Sequence, residues 1–194
     1  MRRTKVIPYK RQLRHKTNYG RRMNLLAGNM PRLVVRKSIN NINAQLVNFG
    51  QKGDHIVASA HSTELRKYGW KYNLGNTPSA YLTGLLLGHK AAHHNIKNAV
   101  LDLGLSRSVP GSTPYALLKG ALDAGLAIPH SKDMLPDESR ILGKHIVEYS
   151  KHAKLHQFSH YKKENIALAD IPKEFDHIKS EILKETEHGK KERK

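Results

Sequence analysis

The chain has 194 residues, enough for one domain of ordinary size with extensions or for two very small ones. It carries 34 Lys and Arg against 16 Asp and Glu, a formal charge of +18 before its 13 His are counted, and 38% of it is hydrophobic. No run reaches the about eighteen apolar residues of a membrane span, the basic start leads into no apolar signal segment, and a sequence without Cys has no disulfide, thiolate nucleophile or thiolate-bound metal. The composition points to a soluble, intracellular protein that binds a polyanion.

The charge is concentrated at one end. Residues 1–53 hold 13 Lys and Arg and no acid, and the first carboxylate is Asp54. Residues 54–131 hold 7 basic and 4 acidic residues, and residues 132–194 hold 14 and 12. A basic surface facing solvent normally interleaves acids to relieve self-repulsion, so the first stretch is expected to rely on a partner for neutralisation.

Residues 1–30 read as a basic arm. Its cations are Arg2, Arg3, Lys5, Lys10, Arg11, Arg14, His15, Lys16, Arg21 and Arg22, with Tyr9 and Tyr19 set among them and the polar pair Thr17 and Asn18 between. Apolar residues are too sparse to bury it, so it is expected to be disordered or loosely helical when free and ordered on binding. Arg presents a planar fork to phosphate oxygens, and Tyr offers a ring for a base and a hydroxyl for a 2′-OH. The competing reading is a solubilising tail or a non-specific tether. A membrane tether needs an amphipathic face with Trp, Phe or Leu, which this arm lacks.

Residues 31–131 read as an α/β core. Arg32 to Lys37, Ile42 to Phe49 and His55 to Ser62 are strand-like; Ile42, Ala44 and Leu46, and then Ile56, Ala58 and Ala60, alternate with their neighbours at a period of two. Short turn-like links make these three an antiparallel meander. A helix follows, with Thr77 as N-cap and Pro78 at its first position. Its stripe of small residues, Ala80, Gly84, Gly88 and Ala91, would let it lie close against the sheet. Ala99 to Leu103 is a short buried strand, and a second helix runs from a Ser112 or Thr113 cap to Gly125. The order is βββαβα, with the last strand joining a mixed sheet in parallel through a right-handed crossover. Residues 132–194 read as a helical C-terminal extension, in which Phe175, Ile178 and Ile182 form a thin apolar face that docks on something.

Catalytic readings fare poorly. His89 and His93 share a helix face, but Lys90 stands where the zinc-protease pattern needs Glu. His152, His156 and His160 would align if their segment is one helix; they bind metal, sense pH, meet phosphate, or form a plain polar face. The strand order also fits a ribonuclease-H-like nuclease, yet two-metal catalysis needs gathered carboxylates, and residues 54–131 contain only Asp54, Glu64, Asp102 and Asp123. Asp102 reads better as a structural acceptor for an Arg or a backbone N–H. Gly111-Ser112-Thr113 could hold a phosphate at a helix start, a weak signal because most such turns are only caps.

Ordered motifs carry a family resemblance over roughly residues 5–150. Lys16-Thr17-Asn18-Tyr19-Gly20-Arg21-Arg22 and Met30 to Ser38 open it. Tyr68-Gly69-Trp70 and Gly75 to Leu86 follow, then Leu117 to Ser131, then Leu135-Pro136-Asp137-Glu138 with Arg140, Gly143 and His145-Ile146. The chain resembles the large-subunit ribosomal proteins that bind 5S rRNA, in their archaeal form. The resemblance implies the βββαβα fold, a ribonuclease-H-like motif of the translational machinery. It implies a structural constituent of the ribosome, not an enzyme, that joins 5S rRNA to the large-subunit rRNA in the central protuberance. Its partners would be both RNAs and the neighbouring ribosomal proteins there, in the cytoplasm, with no membrane and no small-molecule substrate. No cofactor is implied beyond Mg²⁺ held through the rRNA. By position, the arm from Arg2 to Arg22 carries RNA contact. The Trp70 to Ser79 connection is a second candidate, through Trp70, Lys71, Tyr72, Asn73 and Asn76; Trp70 reads equally as a core anchor. The alternatives are a general basic RNA- or DNA-binding protein or RNA chaperone, and, further off, the nuclease.

Overall fold

The computed structural model describes residues 7–152 and 157–191, with side chains to residue 185. Two short helices open it, α1 (Lys10–Leu13) and α2 (Tyr19–Ala27), followed by strands β1 (Arg32–Lys37), β2 (Ile42–Gly50) and β3 (Gly53–His61). A 3₁₀ helix (Ser62–Tyr68) leads to α3 (Thr77–His93), then β4 (Val100–Asp102) and α4 (Thr113–Asp123). The rest is helical: a 3₁₀ turn (Lys132–Met134), α5 (Glu138–Ile141), α6 (Lys144–His152), α7 (Ser159–Lys163), a second 3₁₀ turn (Leu168–Asp170) and α8 (Ile171–Lys191). The fold is mixed α/β in the order βββαβα, as the pattern reading has it.

The sheet runs β3-β2-β1-β4. β1 pairs antiparallel with β2 from Arg32↔Val47 to Lys37↔Ile42, and parallel with β4 from Arg32↔Val100 to Val34↔Asp102. The inner face carries Leu33, Val35, Ile42, Ala44, Leu46, Ala58 and Ala60, all buried, and α3 packs on it. Between β2 and β3 the register shifts: Leu46 pairs with Ala58 but Val47 with Ile56. Val57 is thus the extra residue of a β-bulge, and from there the alternation of β3 is inverted. Ile56 therefore faces outward, 57% exposed, against the expected inward set of Ile56, Ala58 and Ala60. The same inversion carries Asp54, paired with Phe49, to the outer face.

The small-residue stripe of α3 meets α4 rather than the sheet. A Cβ on Gly84 would run into the Leu117 carbonyl, and one on Gly120 into the Tyr81 carbonyl. The two backbones touch where both helices lack a side chain. The N-cap of α3 is Asn76, one residue earlier than expected, because its side chain reaches the Ser79 N–H at 3.0 Å. For α4 the cap is Ser112, and Gly125 follows its end at φ 96°.

The C-terminal extension closes on the same domain. Ile171, Phe175, Ile178 and Ile182 of α8 are buried, with Phe175 5.4 Å from the Tyr81 ring. The Tyr81 hydroxyl donates to Asp123 at 2.6 Å and that of Tyr68 to Glu185. Burial first, and then these carboxylates, push both phenols well above the usual tyrosine range. The partner of the thin apolar face is thus α3 of its own chain. The His series does not form one helix among the described residues: α6 ends at His152, His160 lies in α7, and Phe158 between them has φ 60°. His156 lies outside the described residues.

Replacing Gly120 by Ala should lower stability by about 1–3 kcal/mol through overpacking, outweighing the about 1 kcal/mol that Ala gains over Gly in helix propensity. Gly20→Ala in α2, where the nearest atom to an added Cβ is 3.5 Å away, should leave stability unchanged or raise it by up to about 1 kcal/mol. Urea unfolding of the two variants checks both.

Candidate nucleic-acid surface

The outer face of the sheet is built from alternate residues of four strands. Arg32, Val34 and Arg36 come from β1, Gln45 and Val47 from β2, Asp54 and Ile56 from β3, and Asp102 from β4. The arm lies over it. Asn18 caps α2 by accepting from the Arg21 N–H at 3.0 Å. Arg21 then donates to the Gly104 carbonyl at 3.0 Å, and Arg22 pairs with Asp54 at 2.9 Å.

Arg32 is the centre of this face. It is 3% exposed and bonds Asp54 through Nη2 at 2.8 Å and Asp102 through Nη1 at 3.1 Å. Arg36 adds an ion pair to Asp102 at 3.4 Å and donates to its backbone carbonyl at 2.9 Å. The second Asp102 oxygen also accepts from the Gly104 N–H at 2.7 Å. Gly104 has φ 62°, and a Cβ there would collide with the Arg36 guanidinium, so this turn needs glycine. Asp102 is therefore a structural acceptor, its carboxylate taken up by two arginines and a backbone N–H.

Between arm and sheet lies a cleft of about 290 Å³, lined by Arg11, Lys16, Arg21, Arg22, Arg32 and Arg36 with Thr17 and Asn18, above the two carboxylates. Arg offers up to five donors in a plane that fits two phosphate oxygens at once. Here two carboxylates bind only part of that donor set, and Arg11, Lys16 and Arg21 stay exposed. The expectation of an arm wholly without internal neutralisation is corrected: the bulge supplies Asp54 to Arg22.

The structure sorts the sequence candidates. Lys10, Arg11, Arg14, His15, Lys16, Asn18 and Arg21 are exposed, and Thr17, Tyr19 and Arg22 half-buried. Tyr9 and Tyr19 lie with ring centroids 4.9 Å apart, and Arg11 donates to Thr17 at 3.0 Å. Arg2, Arg3 and Lys5 lie outside the described residues. The Trp70 to Ser79 connection divides. Trp70 is 2% and Tyr72 4% exposed, with rings 5.2 Å apart edge to face. The Trp70 Nε1–H donates to the Asn73 carbonyl and the Tyr72 hydroxyl to the Ala167 carbonyl. Core packing takes both faces, so neither ring is open for a base to stack on. Asn76 is engaged as the α3 cap. Lys71 and Asn73 stay exposed. Arg32 and Arg36 are the members of this face that sequence reading overlooked; two arginines at a spacing of four with Val34 between them, on a strand whose other face is apolar, were the available signal.

Residues 3–98 and 91–131 match the family described as ribosomal large subunit proteins 60S L5 and 50S L18. The chain is also 45% identical over 183 residues, 91% of its own length and 95% of the relative's, to large ribosomal subunit protein uL18 of Methanococcus maripaludis. This chain belongs to that ribosomal protein family. The family match takes in the arm from residue 3 and all four strands. With 91% of the chain covered, the archaeal ribosomal relative also shares most of the helical extension. Arm, outer face and docked helices are thus features of one ribosomal protein of the large subunit, and the Arg32–Asp102 pair lies inside its matched core.

Removing one member of a buried ion pair leaves the other charge uncompensated, at a cost of about 3–5 kcal/mol. Asp102→Ala should destabilise the fold by that order, whereas Asp133→Ala, at an exposed position, should cost far less. Chemical denaturation of both variants provides the comparison.

Proposed function

We propose that this protein is a structural constituent of the large ribosomal subunit, not an enzyme, that binds 5S rRNA and anchors it to the large-subunit rRNA in the central protuberance. It works there in the cytoplasm, beside neighbouring ribosomal proteins, with Mg²⁺ entering only as the rRNA brings it. The observation that carries this reading is the cation-lined cleft between the arm and the outer face of the sheet, in a chain 45% identical to an archaeal large-subunit protein.

The mechanism is electrostatic clamping. The arm neutralises phosphates where RNA strands crowd and releases their counterions. The sheet and its helices supply a rigid surface that fixes register by RNA shape. Arg2, Arg3, Lys5, Lys10, Arg11, Arg14, Lys16, Arg21 and Arg22 are the nine cations of the clamp. Lys71 and Asn73, exposed at the far loop, give a second, smaller polar contact.

A competition titration of 5S rRNA against tRNA at fixed salt tests the reading. A clear preference for 5S rRNA is expected; equal affinity would identify a general RNA-coating protein instead. With about −0.7 to −0.9 in log–log salt slope per neutralised phosphate, nine cations give a slope of roughly −6 to −8 at most. Deleting residues 1–24 should weaken binding sharply and flatten that slope. Cooperative melting should survive, because no residue of α1 or α2 is buried; an unchanged slope would count against the clamp.

A further inference from the structure

Asp54 is an acid placed at the centre of a surface otherwise built to attract anions. It is the first carboxylate of the chain, and the β-bulge at Val57 is what turns it to the outer face. One oxygen binds Arg22 of the arm and the other binds Arg32 of the sheet, at 2.9 and 2.8 Å. Arg32 is fixed in turn by Asp102. A chain of charges therefore runs from the buried sheet to the arm, and Asp54 is its last internal member. The second tie, from Arg21 to the Gly104 carbonyl, lands on the turn that Asp102 and Arg36 hold. Both of these polar ties from α2 thus end on the same network.

We propose that Asp54 is a positioning residue for RNA binding. It holds Arg22 in the place of a phosphate, keeps α2 over the sheet, and so presents Arg11, Lys16, Arg21 and Arg36 as an assembled cleft before RNA arrives. This rests on the RNA-binding reading above. Ordering a flexible segment at the moment of binding lowers affinity, and pre-ordering removes that loss. The Arg22–Asp54 pair is about one-third exposed on each side, so it is weak enough for RNA phosphates to compete with it. It orders the arm without locking the cleft shut.

The sign of the effect separates this from simple charge repulsion. Asp54→Asn removes a negative charge from a polyanion-binding surface, so electrostatics alone predicts tighter binding to every RNA. A positioning role predicts that the variant gains affinity for tRNA and for heparin but loses 5S rRNA affinity, by about threefold to tenfold, which is about 0.7–1.4 kcal/mol. The test uses the full chain and measures both affinities at one salt concentration for wild type, Asp54→Asn, Arg22→Gln and the double variant. If Asp54 acts through Arg22, Asp54→Asn has no further effect on 5S rRNA preference once Arg22 is Gln. Amide hydrogen exchange of residues 19–27 in the free protein should rise in both single variants, while melting of the core stays cooperative. Asp54→Glu should recover part of the preference. Uniform tightening for all RNAs, or unchanged exchange in α2, would overturn the proposal. If Asp54→Asn proves too unstable to measure, Arg22→Gln alone decides, because it leaves the Arg32–Asp54 pair in place and must still raise exchange in α2. A wild type without 5S rRNA preference would instead overturn the function proposed above, and the exchange measurement would still report on the arm.

Discussion

Arg32 is held between two carboxylates, Asp54 on β3 and Asp102 on β4, and is itself almost fully enclosed. A guanidinium in that position cannot be left half paired, since an uncompensated buried charge costs several kcal/mol. The constraint reaches far along the chain: it ties the end of the β-meander to a strand that arrives only after the α3 crossover, 70 residues from Arg32. It also sets the polarity of the outer face. Arg32 and its two acids together carry one net negative charge, which Arg22 and Arg36 more than offset, so the field above the sheet stays positive through them and the other cations of the arm.

The two faces of the sheet are stabilised by different physics. The inner face is a packed apolar layer completed by α3 and α4, whose backbones meet at Gly84 and Gly120. Burial there is worth about 1.5–3 kcal/mol per large side chain, so this half does not depend on any ligand. The outer face is held to the arm by partly exposed ion pairs and hydrogen bonds, each worth about 1 kcal/mol or less. The core therefore has a fixed shape while the arm has an adjustable one. The RNA clamp proposed above needs both, a platform that does not yield and a cationic segment that can follow the backbone.

Much of this was legible in the residues, and what was hidden has specific causes. β1 stands at Arg32 to Lys37 because its apolar residues are β-branched or Leu and its boundaries are a Pro and a Ser-Asn turn. The α4 boundaries follow from Ser112, Pro114 and Gly125. The parallel placement of β4 follows from the helical crossover that separates it from the meander. The bulge left no such mark: Ile56, Ala58 and Ala60 read as one face, and a single inserted residue reversed the first of them along with Asp54. Asn76 and Thr77 are both good caps, and only geometry chooses between them. Trp70 and Tyr72 in a polar loop suggested stacking surfaces, whereas the helical extension that covers them is distant in sequence. For the same reason the apolar face of α8 had no visible partner. Its complement is a helix buried on every side, whose own sequence shows no separate face for it.

The layers follow one another in a fixed order: arm, sheet, the α3–α4 pair, and then α8. The arm is almost purely cationic, while residues 132–194 hold 14 basic and 12 acidic residues, so charge falls off from one side of the molecule to the other. An object with such a lopsided charge experiences a torque in the field of a polyanion and not only a pull. It turns as it approaches and arrives arm first, with the neutral helical side trailing, so that most encounters begin in the orientation that can dock. The trailing side, with its nearly balanced charges, points away from the polyanion in that orientation.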